Sequence, residues 1–331
     1  MTNQGSDEQT SASAGDDSLI TVAGETVAAG MRKRTDIPVA QLPTQAEVSI
    51  PVEVVNGSEA GPRLWVDASI HGDEINGVEI VRELLEVIDP QKLCGTLVAV
   101  PIVNVFGFIT ESRYLPDRRD LNRSFPGSKR GSLAARIANL FMTEIVANCT
   151  HGIDLHTGSN DRTNLPHVRA KLDDPETRRC AEAFGAPVML DSDGPRGSLR
   201  RAVAKQNKPI LVFEGGEPRR FDEETVEVGL QGTLRVMKEL GMISEHVPPP
   251  PKPSREGAST TWVRARRAGI LRLHQITGAE VEKGDLLGTI GDAFLHESTE
   301  VRAPCDGLII SHVTNPLVHQ GDAMVHIVTF E

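Results

Sequence analysis

Histidine and glutamate three residues apart, in the tetrapeptide His71-Gly72-Asp73-Glu74, sit where an apolar run gives way to a helical period. Ionisable groups at the edge of a core are costly to desolvate unless something offsets their charge. A metal ion would do so. Imidazole nitrogen and carboxylate oxygen are both ordinary zinc ligands, and a third His from another strand would complete a catalytic set with one open position. His156, in the run "HGIDLHT" (151–157), suits that place. Asp154 lies two residues earlier, so strand alternation puts it on the same face. There it would accept a proton from the other nitrogen of a ligand imidazole. Glu214 closes "PILVFE" (209–214) and is placed to take a proton from a zinc-activated water.

Each cluster alone is weak. His-x-x-Glu is common on solvated helices, and a strand Asp-Leu-His is often a hydrogen-bonded core histidine. Their succession at strand ends, with a glutamate beyond, favours a metal site. A second constellation is the loop "SRYLPDRRDLNRSFPGSKRGS" (112–132), which holds Arg113, Arg118, Arg119, Arg123 and Arg130. A solvated basic loop is its bland reading. Its functional reading is a carboxylate clamp, because guanidinium is a planar fork of donors that matches a carboxylate. Asn122 adds both a donor and an acceptor.

These residues need a scaffold that gathers them. From 63 to about 241, apolar runs at 63–70, 95–103, 151–157, 186–190 and 209–214 alternate with helical patterns at about 74–88, 131–147, 173–185, 198–207 and 222–241. That alternation predicts an α/β fold, a mixed and largely parallel sheet flanked by helices. Sites in such sheets form beyond the carboxyl ends of the strands, where the clusters would meet. The chain of 331 residues has room for two domains. The polar, acidic segment 1–18 predicts a disordered tail, 19–245 the catalytic domain, and the proline-rich 246–257 a stiff linker. Residues 258–331 read as short strands broken by Gly-Asp turns, a small all-β domain with a quasi-repeat.

Composition narrows the function. The net charge of −11 argues against a nucleic-acid partner. No apolar run approaches the roughly 20 residues of a membrane span, and no signal peptide is recognisable, so the expected location is the cytoplasm and no membrane partner is expected. The four cysteines form no CxxC pair and read as buried thiols. A homo-oligomer is compatible with the sequence.

In order along the chain, "HGDE" (71–74), "DLNRSFPG" (120–127), "DLHTG" (154–158) and "FEGGE" (213–217) resemble the succinylglutamate desuccinylase and aspartoacylase family, with its zinc carboxypeptidase-like fold. The resemblance covers about 40–245. It implies His71, Glu74 and His156 as ligands of one zinc ion per chain and Glu214 as general acid/base. It further implies that Asn122 and Arg123 hold the substrate carboxylate and that Arg113 polarises the scissile carbonyl. For a further substrate arginine, Arg200 and Arg201 compete. Aspartoacylases use tyrosines from later segments, whereas Tyr114 is the only tyrosine here.

The C-terminal stretch resembles a lipoyl or biotinyl barrel-sandwich, with "VEKGDLLGTI" and "VRAPCDGLII" as markers. No lysine stands in the intervening "GDAFLHESTE", so a cap over the active site is expected rather than a carrier. The histidines of this stretch (His274, His296, His312, His319, His326) read as structural or exposed. The expected activity is zinc-dependent hydrolysis of the amide bond of a small N-acyl amino acid with a free carboxylate. The alternatives are a metallocarboxypeptidase acting on C-terminal residues, favoured by an open groove, and a non-catalytic docking module.

Overall fold

The computed structural model describes residues 19–294 and 297–331. The expected tail, 1–18, lies outside the described residues, as does His296. The chain enters through four strands, β1 (Leu19–Val22), β2 (Glu25–Ala28), β3 (Met31–Gln41) and β4 (Glu47–Asn56). The α/β body follows: β5 (Glu59–Ala68), α1 (Asn76–Val87), β6 (Cys94–Val100), α2 (Val105–Ile109), α3 (Leu133–Leu140) and β7 (His151–His156). It continues with β8 (Arg162–Ala170), α4 (Pro175–Phe184), β9 (Val188–Asp191), α5 (Leu199–Ala204), β10 (Ile210–Gly216) and α6 (Glu223–Glu239). The five expected strands are β5, β6, β7, β9 and β10, and the five helical patterns contain α1 and α3 to α6.

Strands β6, β5, β7 and β10 run parallel side by side, with β4 and β3 antiparallel on one flank and β8 antiparallel to β10 on the other. Their near-continuous apolar sequences follow from burial on both faces. Leu64, Val66 and Ala68 point to a core shared with α1, α4 and α6, and Trp65 points to the opposite core, beside α3. Gly152 is opposite Trp65 on β7, and a Cβ there would lie 2.0 Å from the indole. The glycine makes room for the ring.

The C-terminal segment comprises β11 (Arg255–Gly257), β12 (Ser259–Arg264), β13 (Gly269–Leu273), β14 (Glu280–Val281), β15 (Leu286–Gly291), β16 (Ser298–Arg302), β17 (Gly307–Val313), β18 (Leu317–Val318) and β19 (Ala323–Thr329). Strands β16, β15, β13 and β18 form a separate antiparallel sheet, in keeping with the expected small all-β unit. The remaining strands do something the sequence did not announce. Strand β17 pairs with β8, and β19 and β12 follow it, so the central sheet runs on into this segment.

Strand β8 went unread because Pro166 interrupts it. Residues 162–164 pair with β17 and 167–170 with β9, so the missing N–H falls where one neighbour ends and the other begins. The proline-rich stretch also does more than separate two bodies. Arg255–Gly257 forms an edge strand on β9, Ser254 Oγ donates to the Ala186 carbonyl at 2.6 Å, and Arg235 donates to the Pro248 carbonyl at 3.2 Å. Among the described residues no helix is long and apolar enough to cross a membrane.

Candidate metal centre and substrate cavity

The carboxyl ends of β5, β7 and β10 lie together because the strands are parallel and in register. Glu214 is opposite His156, and Asp67 is opposite Asp154. Past β5, Ser69 adopts a left-handed backbone (φ 54°) that turns the chain toward His71. Gly72 serves close approach: a Cβ there would lie 1.9 Å from the backbone of Gly107. Asp73 does not cap α1, whose N-cap is Ile75.

His71, Glu74 and His156 are buried, with one ligand atom from each within 4.8 Å of the others. Glu74 bridges the rings, 2.7 Å from His71 Nδ1 and 2.7 Å from His156 Nδ1. Each ring turns its Nε2 outward to a carboxylate. His71 Nε2 lies 3.2 Å from Asp120 Oδ1, and His156 Nε2 lies 2.9 Å from Asp154 Oδ1. That second contact has an ion-pair distance without hydrogen-bond alignment, and both Asp154 oxygens lack a hydrogen-bond partner among the described residues.

The electrostatics suit a cation. Burial resists ionising Glu74, yet the two imidazoles hold its carboxyl well below the usual range. Burial likewise resists charging the rings. For His156 the carboxylates Asp154 and Glu74 outweigh it, and for His71 Glu74 and Asp120 do, so both pKa values are raised. Asp67 is raised by burial and then by Asp154. Three carboxylates and one guanidinium thus surround two imidazoles that present Nδ1 to a common point, a donor set that fits a zinc ion.

Arg113 is anchored beside this cluster. Its Nη2 and Nε donate to Asp120 Oδ2 at 2.8 and 3.2 Å, and its Nη1 donates to Ser159 Oγ at 2.9 Å. Asn122 Oδ1 accepts from the Leu199 amide at 2.9 Å, which ties the 120–127 loop to the start of α5. Adjacent helical residues diverge by about 100°, so one arginine of the pair faces inward. It is Arg200, which lines the cavity; Arg201 lines a separate surface depression with Phe125. Arg200 is 6% exposed, its Nη2 donates to Ser192 Oγ at 3.2 Å, and its Nε and Nη1 lack partners among the described residues. Burial and then Arg169 push its pKa down to about 10.

His71, Glu74, His156, Asp154, Glu214, Arg113, Asn122, Arg123 and Arg200 all line one cavity of ≈ 500 Å³. Glu214 Oε2 accepts from Asn164 Nδ2 at 2.9 Å, and Arg169 Nε lies 3.8 Å from Oε1. Sequence reasoning missed Arg162, Asn164 and Arg169, all on the unread β8. It also named Asp120 only as part of a motif, with no partner. Of the C-terminal histidines, His326 is buried, stacks on Trp262 and lines this cavity together with Trp262 and Ser311. His274 and His319 are exposed as expected.

The family model "Succinylglutamate desuccinylase/Aspartoacylase catalytic domain" matches residues 60–240. A curated relative, the N-alpha-acetyl-L-2,4-diaminobutyric acid deacetylase of Halomonas elongata, is 27% identical over 290 residues, 84% of each chain. A succinylglutamate desuccinylase/aspartoacylase from Rhodobacter sphaeroides superposes with a TM-score of 0.82 at 25% identity, covering 91% of this chain and 96% of that one. The product-bound ectoine utilization protein EutE (DoeB) of Ruegeria pomeroyi gives 0.82 at 25% identity, over 90% and 95%. The chain belongs to the succinylglutamate desuccinylase/aspartoacylase family.

Proposed function

We propose that the protein is a zinc-dependent amidohydrolase that cleaves the amide of a small N-acyl amino acid carrying a free carboxylate. The observation that carries this is a single cavity holding a His-Glu-His donor set, a separate glutamate and a buried guanidinium with unused donors. The deacetylase and desuccinylase names of its relatives support the same reaction class.

His71, Glu74 and His156 would hold the metal, with Asp120 hydrogen-bonded to the His71 ring and Asp154 supplying negative charge beside His156. When bound, zinc supplies Lewis-acid polarisation of the carbonyl and lowers the pKa of water. Glu214 takes a proton from the attacking water and returns it to the leaving amine. Asn164 fixes the Glu214 carboxylate for that transfer. Arg113 donates to the acyl oxygen as charge develops, already held by Asp120 and Ser159 so that little reorganisation is needed. Arg200, with Asn122 and Arg123 at the mouth, holds the substrate carboxylate. Trp262, Ser311 and His326 wall the cavity from the C-terminal side, which favours a small molecule over the open groove a carboxypeptidase needs. The preferred location remains the cytoplasm, where the four free cysteines would stay reduced.

Metal analysis and turnover test the reading together. The wild type should contain about one zinc per chain, as a three-ligand catalytic site requires. His156→Ala should lose it, and Glu214→Gln should keep the metal but lose most hydrolysis of N-acyl amino acids. Full zinc occupancy in the first variant, or full turnover in the second, refutes the assignment.

A further inference from the structure

A row of polar side chains crosses the sheet from the metal-centre strands into the C-terminal ones. Glu214 on β10 is opposite His156 on β7. Across a bulge, β10 brings Gly216 opposite Asn164 on β8, and Asn164 is opposite Ser311 on β17. Ser311 is opposite His326 on β19, and His326 is opposite Trp262 on β12. Cross-strand neighbours share a face, so the row forms one surface. The Asn164–Glu214 hydrogen bond joins it to the catalytic glutamate.

Two members of the row each carry a buried polar atom with no hydrogen-bond partner among the described residues. These atoms are Ser311 Oγ and His326 Nδ1, in residues 2% and 3% exposed. Buried polar atoms are ordinarily satisfied, and exceptions concentrate at functional sites. The imidazole is also rigidly held, stacked on Trp262 at 4.2 Å and 5°, with the Arg162 guanidinium 5.4 Å from the indole centroid on Trp262. Burial, and then Arg169, push the His326 pKa down to about 3, so the ring is neutral and offers hydrogen bonds rather than charge.

The surrounding charge is lopsided. At this end of the cavity Arg162 lies over Trp262 and Arg169 acts on His326. The carboxylates Glu74, Asp120 and Asp154 gather at the metal centre, and Glu214 is engaged by Asn164 and lies close to Arg169. We propose that Ser311 and His326 form a second binding subsite, which takes an oxygen-acceptor group of the substrate remote from the scissile amide and turns away an ammonium. The proposal rests on the N-acyl amino acid reading above. Carboxylate and carboxamide share the required chemistry. The Halomonas relative, by its name, acts on a diaminobutyric acid derivative, so the subsite predicts a different side-chain preference for this protein.

The test uses the zinc-loaded full chain with four substrates that differ in one group: Nα-acetyl derivatives of aspartate, asparagine, diaminobutyrate and alanine. The subsite predicts kcat/KM for aspartate or asparagine about tenfold above alanine, from one or two hydrogen bonds, with diaminobutyrate below alanine. Aspartate ahead of asparagine would assign the recognition to the guanidinium field, and equality would assign it to the two neutral groups. Ser311→Ala removes a single oxygen and should shrink the asparagine-to-alanine ratio about threefold or more. His326→Gln gives a second probe of the same ratio. A preference for diaminobutyrate over alanine, or an unchanged ratio in Ser311→Ala, overturns the subsite. Failure of the enzyme to turn over any of the four, alanine included, overturns the underlying amidohydrolase reading instead and the subsite with it.

Discussion

Replacing Arg200 by methionine should make the protein more stable and a poorer catalyst. The guanidinium is 6% exposed and leaves Nε and Nη1 without partners. Burial and then Arg169 push its pKa well down, to about 10. A displacement of that size corresponds to roughly 3 kcal/mol of cost to the charged form in the folded state. The folded-state pKa is depressed for a base, so the cost is fully present below pH ~10 and is relieved only above it. At neutral pH methionine, similar in reach and uncharged, should recover about 1–3 kcal/mol of it. Substrate binding moves the other way. Under the proposed reading Arg200 meets a carboxylate away from bulk water, and losing one partner of such a pair costs about 3–5 kcal/mol, or roughly 10² to 10⁴ in affinity. Thermal unfolding of zinc-loaded, substrate-free protein should therefore show a Tm raised by a few degrees. Steady-state kinetics should show KM raised at least 10²-fold for free acids and much less for their methyl esters. A Tm that falls while KM stays constant would refute both the unsatisfied burial and the carboxylate role.

Asp120→Asn should weaken zinc binding about 10- to 100-fold, measured by competition with a chelator, because Asp120 backs His71 and anchors Arg113. Unchanged affinity would show that the contact does not orient the ring. Ser159→Ala removes one anchor of Arg113 and should lower kcat severalfold at constant zinc content, read by single-turnover kinetics. Gly152→Ala should cost about 3 kcal/mol or more in chemical denaturation, since its Cβ would sit 2.0 Å from Trp65 inside a two-faced core. A loss under 1 kcal/mol would mean that β5 and β7 can part without penalty.

The sequence alone determined the α/β alternation, the family, and the identity of the residues that meet at the strand ends. These features are local: apolar runs need no partner to be recognised, and His71, Glu74, Asp154, His156 and Glu214 each sit at the edge of such a run. Its hold weakened where identity depends on pairing between distant segments. Two adjacent arginines, Arg200 and Arg201, are equivalent as letters, and the direction of one helix on the 120–127 loop separates them. Strand β8, broken by proline and rich in polar residues, reads as a loop until β17 and β9 supply its partners. Asp120 gains a partner when the fold carries it 49 residues back to His71. His326 and Ser311 look like ordinary surface-strand residues, and the register of β17 and β19 against β8 turns them into a wall of the cavity. Composition and period fix which elements form, because those depend on each segment's own burial. Register and long-range docking decide what each side chain faces, because those depend on the other segments.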